Sequence, residues 1–180
     1  MSSLFAIFSF SFWLINYQQE YLGNDIYLNF YVSGFVALAS GHTTLLLYSK
    51  MGLRKVIQIV QIISMISCAV IVLVQQRVIV LNEPMAEIYL INIVIPLALI
   101  FLSLSCSVGY TCVTQCAYQD RRIFPFEKKG LAINCIILVS KFFTVGASFV
   151  NEMKEPIPLI CVGFLGIGSI FLSVLFPSQQ

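Results

Sequence analysis

The spacing of charges constrains this chain more than any other feature. Uncharged runs occupy residues 1–19, 26–49, 56–76, 88–119 and 156–180, with lengths of 19, 24, 21, 32 and 25. About 20 consecutive apolar residues carry a helix across a hydrocarbon core of roughly 30 Å. A further stretch, 130–151, is interrupted only by Lys141. Membrane strands alternate apolar and polar side chains over about ten residues, whereas these runs are apolar on every side. The chain therefore reads as an all-α, polytopic membrane protein. Six transmembrane helices are expected at about 3–19, 26–49, 55–76, 88–118, 130–150 and 157–176, in a single domain covering 1–180.

Composition agrees and removes other classes. Hydrophobic residues make up 59% and charged ones 10%, against about 25% charged in soluble domains. Too little polar surface remains to coat a water-soluble globule, and the lipid bilayer becomes the expected partner. A net charge of +2 supplies no electrostatic basis for a nucleic-acid partner. The first run lacks a basic leader and a small-residue cleavage site and is rich in Phe, so it reads as a mature helix and not as a secretory signal.

Basic residues in the connections set the orientation, because Lys and Arg are retained on the cytoplasmic side during insertion. Lys50, Arg54 and Lys55 fall in the second connection and Arg121, Arg122, Lys128 and Lys129 in the fourth, against only Arg77 and Lys154 in the odd-numbered ones. Glu20, Asp25, Glu83, Glu87, Glu152 and Glu155 lie in the first, third and fifth connections. Both termini of this integral, multi-pass protein are expected to face the cytoplasm; which membrane holds it, plasma or organelle, is not encoded in this pattern.

Within the runs, few residues carry chemistry. The cysteines at 68, 106, 112, 116, 135 and 161 read as small packing residues, and Cys112 with Cys116 lacks the histidine or carboxylate a metal site needs. No metal, cofactor or catalytic residues are expected, and the chain does not read as an enzyme: no arrangement of serine, histidine and acid is present. Gly163, Gly166 and Gly168 follow no strand and read as helix-packing positions. Pro96 should kink the fourth helix. His42 follows Ala37, Ser40 and Gly41, and Gly34 and Gly41 stand one heptad apart, a surface on which close helix approach is expected. Lys141 is the exception that matters, because an unpaired ammonium at mid-membrane costs at least about 2.5–3.5 kcal/mol. It is expected to face a polar interior, either as an attractor of anionic solute or paired with a carbonyl or polar side chain.

Several local patterns are similar to one family. Leu22-Gly23-Asn24-Asp25-Ile26-Tyr27-Leu28-Asn29-Phe30, followed by Ser33-Gly34, resembles the segment that opens the eighth helix of organic cation and anion transporters of the major facilitator superfamily. Met51-Gly52-Leu53-Arg54-Lys55 resembles the family's cytoplasmic turn between helices eight and nine, with Ser49 where the family carries an acid. Tyr118, Asp120, Phe124-Pro125 and Lys129-Gly130-Leu131 resemble a degraded form of the motif after the tenth helix, with altered spacing. Ser140-Lys141 falls within about two residues of the position where anion-handling members carry a positive side chain, and Leu175-Phe176-Pro177 resembles the close of the twelfth helix.

The resemblance covers essentially the whole chain as the second six-helix half of a twelve-helix transporter. It implies transport of a small organic, anionic solute by alternating access, with Lys141, Asn92, Asn134 and Tyr110 in the solute site and Arg54 with Asp120 as a gating ion pair. The partner it implies is an N-terminal six-helix half or a second copy. The alternative is a non-transporting scaffold or assembly subunit, or a truncated inactive transporter fragment.

Overall fold

The computed structural model describes residues 2–18, 26–76, 93–119, 129–154 and 156–174. Among these, all regular structure is helical: α1 (Ser2–Gln18), α2 (Ile26–Gln75), α3 (Ile95–Gln119), α4 (Lys129–Asn151) and α5 (Ile157–Val174). Four segments, Phe30–Gln75, Ile95–Ala117, Lys129–Asn151 and Ile157–Val174, are long and apolar enough to cross a membrane. α1, at 17 residues, would reach about 26 Å.

α2 is the departure from expectation. Two helices joined by a connection around Lys50 to Lys55 were anticipated; instead 50 residues are helical except at Gly52, whose φ of 74° and ψ of 165° break the rod into arms 26–51 and 53–75. That conformation is essentially restricted to glycine, since a Cβ would clash with the backbone. One residue thus does what a longer loop was expected to do. Pro96 stands in the first turn of α3, directly after a π turn at residues 93–94. Lacking an N–H, it cannot continue an α ladder backwards, and the widened turn is the local result.

Side-chain contacts fix the direction of each rod. Phe5 shares a cavity wall with Ala117 while Phe12 stacks on Tyr110, so α3 runs antiparallel to α1. Ser9 meets Thr144 and Gln18 meets Asn151, so α4 runs parallel to α1. Asn16 meets Ser33, which brings the start of α2 to the end of α1. In the second arm of α2, Met65 faces Gly166 and Val72 shares a groove with Leu159, making α5 antiparallel to it.

α1 is the packing axis. It touches α3, α4 and α5 and is buried nearly all round, from Leu4, Phe5 and Phe8 to Leu14, Ile15 and Gln18. Its lower residues join Leu53, Ile57, Val108, Val113 and Cys116 in one cluster, and its upper ones join Ile71, Leu99, Leu102 and Leu159 in a second. Lipid tails are as apolar as these side chains, so interlocking shape holds the rods and not escape from water. The tightest case is Phe8, fully buried, whose ring lies on the bare backbone of Gly109: a Cβ built there would fall inside the ring.

Candidate functional site

A cavity of about 300 Å³ opens between α1, α3 and α4. Helical spacing places its wall. On α3, Tyr110, Thr114 and Ala117 recur at i, i+4 and i+7; on α4, Ile133, Ile137 and Lys141 form an i, i+4, i+8 row beside Ile136; Phe5 of α1 completes the lining. Lys141 stands 12 residues from the start of α4 and 10 from its end, about 18 Å and 15 Å along the axis. It is exposed at the mouth of the cavity, and among the described residues no hydrogen bond or ion pair is made to it.

The opposite wall is held by aromatic packing. Tyr110 lies 5.0 Å from the Phe5 ring and 5.9 Å from the Phe12 ring, the second nearly parallel at 21°. Such pairs contribute about 0.5–1.5 kcal/mol each beyond simple burial, enough to hold the ring in one orientation. Thr114 donates its hydroxyl proton to the Tyr110 carbonyl at 2.7 Å. Towards the cavity it therefore offers lone pairs and a methyl group. The site combines one cationic donor, a phenol and an aromatic wall inside apolar surroundings, a combination suited to a small amphipathic anion.

The remaining expected site residues divide. Asn134 is exposed on α4 and does not line the cavity. Asn92 and Asp120 lie outside the described residues, so the Arg54–Asp120 pairing has no geometry here; Arg54 itself is half-buried at the start of the second arm of α2. His42 is exposed on the first arm. Gly34 and Gly41 have nothing within 4 Å of an added Cβ, so the close approach expected on that surface is not made among the described residues. Cys112 and Cys116 are buried in the core cluster with Leu4 and Phe5. Among the described residues, no three His, Cys, Asp or Glu side chains gather as a metal site would require.

Sequence reasoning missed Phe5, Phe12 and Thr114, since an aromatic residue in an apolar run looks the same whether it faces lipid or a cavity. It also missed the outer clasp, where Gln18 donates from Nε2 to Asn151 Oδ1 at 2.8 Å and Ser33 donates to Asn16 Oδ1 at 3.2 Å. A second groove, about 250 Å³ between the second arm of α2 and α5, is walled by apolar residues such as Met65, Val72, Leu159 and Phe164. It presents no polar group to orient a ligand. The chain matches no family model, no curated protein and no solved structure.

Proposed function

We propose that this chain forms one six-helix half of a transmembrane transporter, in which a small organic anion rests on the wall made by Lys141 and Tyr110. One observation carries the reading: Lys141, a cation at the middle of the apolar helix α4, lines the same cavity as Tyr110. Six crossings follow if the Gly52 break is the turn between two spans and α1 spans as well; the alternating rod directions support this. The resemblance to organic-ion transporters of the major facilitator superfamily supplies the mechanism, alternating access by rocking two halves about a mid-membrane site.

With basic connections holding the termini in the cytoplasm, Phe5, Ala117 and Ile133 mark the cytoplasmic end of the cavity and Lys141 its mid-membrane mouth. Solute would enter between the halves and meet the ammonium at mid-membrane, where low polarity strengthens the attraction. Arg54 and Asp120 would close the cytoplasmic side as an ion pair. The facing wall belongs to a partner half.

Uptake of a labelled aromatic carboxylate into proteoliposomes holding both halves tests this. A hydrogen bond to a charged group contributes about 1.5–3 kcal/mol, so Lys141→Gln should lower uptake by roughly tenfold to a hundredfold. Unchanged uptake in that variant refutes the role of Lys141. A stable complex of the two halves that moves no solute would instead favour the scaffold reading.

A further inference from the structure

The outward stripes of two helices differ in a way lipid alone does not explain. On α5, Ile157, Ile160, Phe164, Ile167, Phe171 and Val174 are exposed at alternating spacings of three and four, and all six are apolar. On α4 the same spacing gives Leu131, Asn134, Leu138, Lys141, Val145 and Ser148, all exposed, with a polar residue at every heptad. The α5 stripe is what acyl chains accept without penalty. The α4 stripe is a heptad seam, an apolar row at one position and Asn, Lys and Ser at the other, the pattern by which helices interlock side by side.

The charge on that seam identifies what covers it. Lys141 sits about 15 Å or more from either end of α4, too deep for an easy reach to the headgroups. All eight acidic residues of the chain, at 20, 25, 83, 87, 120, 127, 152 and 155, lie between the apolar runs. Glu152, the nearest in sequence, stands just past the end of α4 and 11 residues from Lys141, beyond the roughly 15 Å of helix that follows the lysine. A second copy would bring Lys141 no carboxylate at its own depth, and a two-fold pairing would set like charges face to face. We infer that the α4 seam docks a transmembrane helix from outside these 180 residues that carries an Asp or Glu near its middle. Polar groups glue helices together in membranes, and here the ammonium selects a partner of opposite sign while Leu131, Leu138 and Val145 supply its packing surface.

The helix carboxylate would meet the same ammonium that the transport reading gives to solute, so solute would have to displace it from Lys141; the test is independent of uptake. The intact chain, with a donor fluorophore fused to its C terminus, is reconstituted in phosphatidylcholine vesicles. Acceptor-labelled polyleucine transmembrane peptides are then added, with a central Asp, Leu or Lys. The Asp peptide should reach half-maximal energy transfer at a peptide-to-lipid ratio at least tenfold below that of the Leu peptide. Lys141→Gln should erase the difference, and Lys141→Glu should transfer the preference to the Lys peptide, with circular dichroism confirming helix content in each variant. Equal transfer to the Asp and Leu peptides, or a preference that survives Lys141→Gln, overturns the inference. So does saturable transfer between donor- and acceptor-labelled copies of the chain that Lys141→Gln abolishes, which would assign the seam to a second copy.

Discussion

Replacing Gly109 with alanine tests the packing on which the cavity depends. The added methyl falls inside the Phe8 ring, a side chain with 0% exposure and no free direction in which to turn. Overpacking of this kind costs about 1–3 kcal/mol, while the alanine's better helix propensity returns up to about 1 kcal/mol. With the added carbon lying inside the Phe8 ring the cost falls in the upper part of that range, and a net loss of about 1–2 kcal/mol is expected, read as a lower midpoint in sodium dodecyl sulfate titrations followed by circular dichroism. Phe8→Leu should relieve the clash, so the double variant should be more stable than the two single losses predict, a coupling of about 1 kcal/mol or more. Gly41→Ala serves as the control, because nothing lies within 4 Å of its added carbon. A neutral Gly109→Ala, or additive losses with Phe8→Leu, would show that α1 does not lie on α3 in this way. Displacing α3 also moves Tyr110 off the Phe5 and Phe12 rings, so uptake should fall with stability.

Gly52→Ala forces a Cβ into a backbone conformation that only glycine tolerates and should cost about 1–3 kcal/mol; a variant as stable as the parent in the same titration would mean the arms of α2 do not break there. At the outer clasp the two partners are unequal. Gln18 is 1% exposed with Oε1 unpartnered among the described residues, so Asn151→Leu strands its amide donor as well and should cost about 1–3 kcal/mol. Gln18→Leu removes the orphaned acceptor along with the bond and should cost less, and the reverse order would refute the pairing. Lys141→Leu should stabilise the chain reconstituted alone, since it removes a charge whose insertion costs at least about 2.5–3.5 kcal/mol, while depressing uptake; a destabilised Lys141→Leu variant would show that the ammonium already has a partner within the chain.

Helix content could be read from the sequence because charge is excluded from hydrocarbon. The apolar run 156–180 contains α5 (Ile157–Val174), and the stretch 130–151 differs from α4 by one residue. The rotation of each rod about its axis could not be read in the same way, because rods that are apolar all round show no 3.6-residue contrast to say which side meets a neighbour. That is why Gly34 and Gly41 were expected to meet another helix and face open space instead, whereas Gly109, unremarked in the sequence, receives the largest buried ring. Lys141 stands out in the sequence because a charge inside an apolar run is rare, and Tyr110 because its phenol is a larger polar group than the serines around it. Their meeting in one cavity depends on the antiparallel setting of α3 and the parallel setting of α4 about α1, which is tertiary information. Asn134 shares the α4 helix with Lys141 yet misses the cavity, because at its level the wall is made by Ile133 and Ile137 while Asn134 stays on the outward seam.

Polarity inside this bundle does not by itself mark a site, because most of it is satisfied within single helices. Ser40 donates to the Ala37 carbonyl, Ser105 to Phe101, Ser140 to Ile137, Ser169 to Gly166 and Ser173 to Ile170, and each hydroxyl is thereby removed from contention as a free donor. Short side chains permit this, since they reach the carbonyl one turn back. Asn16 does the same with the Phe12 carbonyl. Hydroxyls also cross between rods, Thr44 with Thr111 at 2.7 Å, Ser9 with Thr144 at 3.2 Å and Ser33 with Asn16 Oδ1 at 3.2 Å, joining helices at modest energy. A lysine has three donors on a long stem and a full charge, and no carbonyl of its own rod neutralises it. In hydrocarbon such a group must be met from outside its helix, by a solute, by water or by an opposing carboxylate. The discriminating question for a membrane bundle is therefore which polar groups their own helices cannot satisfy, and in the described part of this chain Lys141 on the α4 seam answers it most clearly.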